Sequence, residues 1–584
     1  MTLHSTDNRS SLKNLAILLA ILGLHAFWLL FSGLNFEASD DMAYIKNAID
    51  LTRGSFTLTP HPFSNRFGAF VPLALYYKLF GISPTTTLLA PMIPSLILVA
   101  TVFLVARRIG GIHAAIWSAV LLAFNTNQLF FALTVDDDIV VSTIMTVTAA
   151  WIFFQRNQGE GSAAFARGAV VGILFSLGVL TKLSVTWMLP FGIALLWHDL
   201  RHGRNRAFWL GSFISGTLLG GMYLLVYKVI TGDALYVMHG MQNMYDTNRH
   251  IGLPSVFKDK SLSQYMDRLT WEPVWLIAKR SGLAILLVLS LPALISLRCA
   301  GPGTSALFPP GTRFWTAYGF SVLGMFWFGT TSFSYYNPIG ISANYLLPTM
   351  GPLSLLAGVV LGRLHQAIDV TLDQTLIRRT GFVLLLLLLG LALFQAQINW
   401  YKKESLAAMM AVLLLTGATM IRPLRLPAAA LLARGAVTVA LLLFAILPQL
   451  ALRNGELSGE PMNRSERDLA QSFLSKIDRP TVIVTDRRSN KSIPYHFALT
   501  LPSNIKLISY KNYAEITPEP GTRYLAWINR DRFRTMNMNY GNAIPVFVKE
   551  PPSSWKLIAQ QDPIRIYELP EQDPMSAFRR TPTP

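Results

Sequence analysis

Charged side chains of the kind used in group transfer occur at separated places in the first third of the chain. They are, in chain order, Asp40, Asp41, Arg66, Asp136, Asp137, Asp138 and Lys182. A carboxylate can take a proton from a hydroxyl, and cations can stabilise the charge that develops on a departing phosphate. If the fold brings these residues together, their types suit transfer of a group from a phosphate ester to a hydroxyl.

The first pair lies in a stretch that reads as a short amphipathic helix. Ser39 is a good N-cap, and Met42, Ile45 and Ile49 recur at roughly helical spacing. Asp40 and Asp41 then fall in the first turn, where acids also complement the helix dipole without any catalytic role. We expect this helix to lie on the membrane surface.

The other charged residues also have plainer explanations. The three aspartates could simply cap a helix that begins at Ile139, although three carboxylates at the mouth of a membrane helix are costly unless solvated, paired or metal-bound. Lys182 could be an interfacial lysine that extends towards water, and Arg66 could pair with lipid headgroups. A shared site is the hypothesis that explains all of them together.

Composition identifies a membrane protein. The 584 residues are 52% hydrophobic and only 14% charged, against about 25% charged residues in a soluble chain. Apolar runs long enough to cross a bilayer as helices recur along the sequence. They lie near 14–34, 84–106, 112–131, 139–155, 167–181, 184–198, 207–231, 281–298, 314–332, 344–362, 380–398, 405–421 and 433–452. We therefore predict an all-α polytopic membrane protein with about thirteen crossings.

Segment 67–80 is the doubtful crossing, because it is short and contains Pro72 and Lys78. If this segment is an interfacial or re-entrant helix, nearly all arginines of the short loops lie on the same side of the membrane as the N-terminus. The short loops on the opposite side hold only Lys182, Lys402 and Lys403. The asymmetry predicts a cytoplasmic N-terminus and explains much of the net charge of +18, so no nucleic-acid site is inferred.

The tail has a soluble composition and predicts a separate small domain. Segments 481–485, 505–508 and 524–528 read as strands separated by helical or polar stretches. We predict a transmembrane domain over 1–453, an outward-facing (periplasmic) α/β domain over 454–574 and a disordered tail over 575–584. The single cysteine, Cys299, excludes an intrachain disulfide framework.

This topology places the candidate residues on one face of the membrane. Loop 35–83 supplies Asp40, Asp41, His61 and Arg66, and later outer turns supply the aspartate triplet and Lys182. Cations and carboxylates near the hydrocarbon boundary suit a substrate with an apolar tail and an anionic head. The outer loop 232–280, with Met238 and Met241, reads as an amphipathic lid or as part of the substrate wall.

Several motifs, in order, resemble one family. Asp40-Asp41-Met42-Ala43-Tyr44 resembles the Asp-Glu-x-x-Tyr element in the first outer loop of GT-C glycosyltransferases. Segments 73–81, 105–110, 177–182 and 345–348, with Asp138, resemble successive motifs of the bacterial phospholipid-carrier-dependent transferases. These include lipid A aminoarabinose transferases, core galacturonosyltransferases and relatives of protein O-mannosyltransferases. The resemblance covers about residues 10–360.

The resemblance implies roles for individual residues. Asp40 would be the catalytic base, while Asp41 and Asp138, with Asp137, would orient the acceptor or hold the loop. Lys182 would contact the carrier phosphate. Other substrate-binding candidates are Arg66, His61 and Tyr345. Arg66 and Asn344 depart from the family pattern, since relatives often have a lysine beside the Pro-Leu segment and an arginine before Tyr-x-x-Pro.

The expected reaction is transfer of one sugar from a polyprenyl-phosphate carrier to a hydroxyl of lipid A, lipopolysaccharide core, another envelope glycan or protein. It would occur at the periplasmic face of the bacterial inner membrane and invert the anomeric centre. No cofactor is required by this reading, although Asp40, Asp137 and Asp138 are ligand types for Mg²⁺ or Mn²⁺. A lipid-linked sugar flippase and a metal-dependent oligosaccharyl transferase remain alternatives.

Overall fold

The structure is a computed structural model. It describes residues 4–34, 40–59, 62–250, 261–298, 308–330, 336–369, 374–397, 403–421, 435–439, 441–443, 460–486, 488–496, 501–510, 518–530, 546–571 and 574. The expected disordered tail and the boundary between residues 453 and 454 lie outside these ranges, as do His61 and Cys299.

The membrane part is helical throughout its regular structure. Its helices are α1 (His4–Ser32), α2 (Asp40–Arg53), α3 (Phe67–Phe80), α4 (Pro84–Ala123), α5 (Thr126–Ala132), α6 (Asp137–Gln155), α7 (Gly161–Thr181), α8 (Leu189–Arg201), α9 (Arg206–Thr231), α10 (Tyr236–His250), α11 (Leu262–Lys279), α12 (Ser281–Ser290), α13 (Ile295–Arg298), α14 (Pro310–Phe328), α15 (Leu347–Asp369), α16 (Gln374–Gln397) and α17 (Lys403–Ile421). Short 3₁₀ segments occupy Pro62–Asn65, Leu183–Met188, Leu291–Leu294 and Asn344–Leu346.

Seven helices within the described ranges are long and apolar enough to cross a membrane, or eight if the bent pair Leu262–Lys279 and Gly282–Leu297 is one span. Helix α4 contains the expected crossing 84–106 and the first part of 112–131. The backbone breaks between them at Gly111 (φ 79°), a conformation that glycine adopts readily. Arg379–Gln395 and Ala407–Gly417 are shorter apolar helices. The count of thirteen and the orientation remain predictions.

Helices α4 and α15 pack together at the centre of the membrane part. Close approach depends on Gly358, because a Cβ there would lie 2.0 Å from the Oγ of Ser118. The Ser118 hydroxyl donates a hydrogen bond to the Leu355 carbonyl across the same contact, at 3.2 Å. This rigid centre carries α6 and the start of α15, which both contribute to the site described below.

Helices α2 and α3 form a separate layer. Both helices have 14 residues, too few to cross the bilayer as single spans. Their apolar faces pack together through Ile45, Ile49, Phe70 and Leu73, all buried. The expected short amphipathic helix after the first crossing is therefore present, and 67–80 is the short helix that the sequence predicted.

The tail forms a small α/β domain. It contains α18 (Glu460–Leu469), α19 (Ser489–Tyr495), α20 (Val546–Lys549) and strands β1 (Thr481–Thr485), β2 (Ile505–Ser509), β3 (Arg523–Asn529), β4 (Lys556–Gln561) and β5 (Ile564–Glu568). The strand order is β2-β1-β3-β5-β4, with β1 parallel to β2 and β3, and β5 antiparallel to β3 and β4. The predicted fold class, helical membrane protein with a C-terminal α/β domain, is confirmed.

Candidate active site

A buried carboxylate between two cations is the centre of the site. The Oδ1 of Asp137 lies 3.0 Å from the Nζ of Lys182, and its Oδ2 lies 2.8 Å from an Nη of Arg66. Asp137 and Lys182 are both buried, and Arg66 is partly exposed. Charges out of water are tolerated in this way only when they are paired and hydrogen-bonded.

Tyr44 connects helix α2 to this centre. Arg66 donates a hydrogen bond to the Tyr44 hydroxyl at 2.6 Å, and that hydroxyl donates to the Oδ2 of Asp137 at 3.0 Å. Burial raises the pKa of Tyr44 well above 10.0 even though the nearby Arg66 charge opposes the rise, so the phenol keeps its proton and can donate.

Asp138 is held on the other side of Lys182. Its Oδ2 lies 2.6 Å from the Lys182 Nζ and accepts a hydrogen bond from the side-chain amide of Asn344 at 2.7 Å. Its Oδ1 is buried and has no hydrogen-bond partner within the described residues. A buried carboxylate oxygen without a partner is rare in a native fold and marks a place where a substrate hydroxyl could donate.

Local sequence explains why these side chains converge. Asp136 is the N-cap of α6, and its Oδ1 accepts from the backbone N–H of Asp138 at 3.2 Å, which directs the next two carboxylates into the protein. Lys182 follows the last residue of α7 in an extended conformation. Gly68 in α3 lets the two segments touch, because a Cβ there would lie 1.9 Å from the Thr181 Oγ1.

The cations border a cavity of about 170 Å³ with a mostly apolar wall. The residues around it include Asn65, Arg66, Val179, Lys182, Leu183, Trp187, Tyr223, Met238, Met241, Ile339 and Tyr345. The Nζ of Lys182 lies 5.0 Å from the centre of the Tyr345 ring, within cation–π distance. A cavity bordered by two cations and by mostly apolar walls suits an amphiphilic anion.

Two pKa shifts outside the spans show how the charges depend on one another. Burial by itself would lower the pKa of Lys182, but the carboxylates of Asp137 and Asp138 outweigh it and the net change is upward. Burial, with the charges of Asp138 and Asp137, raises the pKa of Asp136 well above 3.8. The lysine is therefore held in its charged form, whereas the first aspartate is pushed towards its neutral form.

The carboxylates do not fit a divalent metal in this arrangement. The oxygens of Asp136, Asp137 and Asp138 lie within 4.8 Å of one another, as a shared ion would need. Both oxygens of Asp137, however, are already paired with the cations Lys182 and Arg66, and these two positive charges would repel a metal ion. No step is therefore assigned to Mg²⁺ or Mn²⁺.

Comparison with known proteins identifies the fold. Residues 66–219 match the family model described as dolichyl-phosphate-mannose-protein mannosyltransferase. The crystal structure of ArnT from Cupriavidus metallidurans bound to undecaprenyl phosphate superimposes with a TM-score of 0.58 at 14% identity, covering 94% of this chain and 97% of that one. The apo structure of the same protein gives 0.56 at 14% identity, covering 99% and 100%. The chain has the fold of ArnT. No curated protein matches the sequence significantly.

This fold brings most of the sequence-predicted residues near one another. Arg66, Asp137, Asp138 and Lys182 are in direct contact, and Tyr345 lies against Lys182. Asp40 is exposed in the first turn of α2, four residues before Tyr44 and hence on the same helical face. Its neighbour Asp41 is buried on another face of α2.

Some contributors to the candidate site were missed from the sequence. In the sequence, Tyr44 stands out only as part of a motif and Asn344 only as a departure from one. In the structure, Tyr44 donates a hydrogen bond to Asp137 and Asn344 donates one to Asp138. Trp187 and Tyr223 of the cavity wall had no sequence signal, because aromatic residues are common in any membrane helix. His61 lies outside the described residues.

Proposed function

We propose that the protein transfers a single sugar from a polyprenyl-phosphate carrier to an acceptor hydroxyl. The observation that carries this proposal is that Arg66 and Lys182 border one apolar cavity while sharing a buried carboxylate. A lipid phosphate places its charge at the cations and its chain along the apolar wall. The similar fold of ArnT, which was crystallised with undecaprenyl phosphate, supports this class of carrier.

The proposed chemistry is a direct displacement at the anomeric carbon. The acceptor oxygen forms a bond to that carbon while the bond from the carbon to the phosphate oxygen breaks, and the electron pair leaves on the carrier phosphate. The acceptor proton passes to the carboxylate of Asp40, and the anomeric centre inverts. Asp41 and Asp138 are proposed to hold the acceptor side of the site, and His61 remains a candidate for substrate binding.

The two cations stabilise the phosphate as its charge grows. Asp137 occupies them in the structure, so an arriving phosphate must share or displace that carboxylate. The Tyr44 hydroxyl, which already touches both Arg66 and Asp137, can follow either partner during this exchange. Preorganised charges in a site shielded from water contribute more than the same charges in solvent.

We assign the reaction to the periplasmic face of a bacterial inner membrane. The distribution of short-loop arginines favours this side for Asp40, Arg66 and Lys182. The acceptor belongs to lipid A, lipopolysaccharide core, another envelope glycan or protein, and all four have exposed hydroxyls at this surface.

The test combines binding with product analysis. Purified protein in nanodiscs should bind undecaprenyl phosphate, and Lys182→Gln should weaken that binding by about ten-fold or more. Mass spectrometry of envelope glycolipids and glycoproteins from cells with and without the gene should show loss of one monosaccharide. Asp40→Asn should abolish that transfer without loss of binding.

Asp50→Asn, on the same helix α2, is the matched control and should retain transfer. Identical envelope glycans in both strains, together with no carrier binding, would overturn the proposed function. Binding that survives while vesicles show carrier translocation and no glycan changes would indicate a flippase instead.

A further inference from the structure

One aromatic side chain of the C-terminal domain is buried together with residues of helices α2 and α3. Tyr495, the last residue of α19, is only 5% exposed and belongs to the same buried cluster as Met42, Ile45, Phe70 and Tyr77. Among the described residues, it is the only member of that cluster from the C-terminal domain. Tyr495 thus joins the C-terminal domain to the α2–α3 layer.

Polar groups of three membrane-part elements lie within electrostatic range of Tyr495. Thr87 at the start of α4, Tyr77 of α3 and Asp41 of α2 all act on it, and burial raises its pKa well above 10.0. Tyr77 and Thr87 are themselves joined through their hydroxyls at 2.8 Å. Asp41 is the buried acid directly after Asp40, the proposed base, in the first turn of α2.

The domain holds Tyr495 on a fixed element. Asp486 accepts hydrogen bonds from the backbone N–H groups of Arg488 and Ser489 at 2.8 and 2.9 Å, which fixes the start of α19. The fully buried Glu466 of α18 accepts from the hydroxyls of Ser489 and Ser492 at 2.7 and 2.6 Å. A side chain carried by such a braced helix can set the position of what it packs against.

We propose that Tyr495 is a positioning residue through which the C-terminal domain fixes helix α2. Because it is buried in the cluster that contains Met42 and Ile45, it sets the rotation of α2 about its axis. The same rotation determines the positions of Asp40 and Tyr44, which both belong to that helix. The expected effect of Tyr495 on transfer rests on the proposed function, whereas its expected effect on the position of helix α2 does not.

Hydrogen–deuterium exchange of the full-length protein in nanodiscs tests whether Tyr495 holds helix α2 in place. Tyr495→Ala should speed exchange of the amides in residues 40–53 by about ten-fold while β1 of the C-terminal domain keeps its protection. Tyr495→Phe keeps the ring and should restore most of the protection. Tyr510→Ala is the matched control, since Tyr510 packs on Phe547 inside the same domain and should leave α2 unchanged.

Transfer kinetics test whether Tyr495 also affects the rate of sugar transfer. Because a small displacement of a catalytic group is costly, Tyr495→Ala should lower kcat by about ten- to a hundred-fold with little change in the KM for the carrier. Unchanged exchange of α2 in Tyr495→Ala, or an equal effect of Tyr510→Ala, overturns the proposal whatever the kinetics give. Wild-type protein without any transfer overturns the proposed function instead, while faster exchange in Tyr495→Ala still supports the domain contact.

Discussion

Arg66 and Tyr44 come from different segments and meet over a single carboxylate oxygen. The arginine lies 2.6 Å from the Tyr44 hydroxyl and 2.8 Å from the Oδ2 of Asp137, and the same oxygen accepts from Tyr44 at 3.0 Å. The position of helix α2 is therefore tied to the charges of the membrane helices. Any anion that draws Arg66 away from Asp137 also changes the contact that holds α2.

A double-mutant cycle tests this triangle. Tyr44→Phe and Arg66→Met should each lower the unfolding free energy, and the double variant should lose less than their sum because the two share one contact. The expected coupling is about 0.5–3 kcal/mol, measured by denaturant titration in detergent. Tyr76→Phe on α3 provides the control and should show no coupling to Arg66.

Removing Lys182 should destabilise the fold as well as the binding of the carrier. Lys182→Met leaves Asp137 and Asp138 buried with one cation fewer, and breaking such a pair costs about 3–5 kcal/mol. Adding Asp138→Asn to Lys182→Met should recover part of the loss. Lys78→Met, at an exposed position, should leave the thermal midpoint unchanged. Equal midpoints for all these variants would contradict the buried ion-pair network.

Asp136 should make stability depend on pH. Its raised pKa means that the folded protein holds this proton more tightly than the unfolded chain, whose value is about 3.8. Stability from this group is therefore complete below about pH 3.8 and falls as the pH rises through the higher folded value. Asp136→Asn keeps a good N-cap and removes the titration.

The measurement is the thermal midpoint between pH 4 and pH 8 by scanning fluorimetry. Asp136→Asn should be the more stable protein at pH 8, and its advantage should shrink towards pH 4. A difference that stays constant across the range would argue against a raised pKa at this position.

Two glycines of α9 should respond in opposite directions to the same substitution. A Cβ at Gly211 would lie 2.1 Å from the Phe165 carbonyl of α7, so Gly211→Ala should push the two helices apart. Gly220 has nothing within 4 Å of a new Cβ, and alanine is a better helix former by about 1 kcal/mol. We expect a lower thermal midpoint for Gly211→Ala and an equal or higher one for Gly220→Ala. Similar loss in both would mean that the α7–α9 contact does not depend on close backbone approach.

Much of the architecture could be predicted because a bilayer restricts what a sequence can form. Apolar runs such as 207–231 correspond closely to α9, Arg206–Thr231, since backbone groups in lipid must be satisfied within the helix. Strand 481–485 was predicted with its observed limits, Thr481–Thr485. Strand β4 was missed because its mixed sequence carries no clear alternation, and β5 was missed because only Ile564 and Ile566 mark its buried face in a run of five residues.

By itself, the sequence determined the residue types and the class of chemistry: the aspartate pair and triplet, Arg66, Lys182 and the apolar helices that carry them. These are local properties, fixed by composition and by helical period. Only the tertiary structure decided that Lys182 and Arg66 share Asp137, that Asn344 binds Asp138, 206 residues away in the chain, and that Tyr495 is buried with residues of α2 and α3. Contacts between distant segments depend on how helices pack, and packing leaves little trace in the order of residues along one chain.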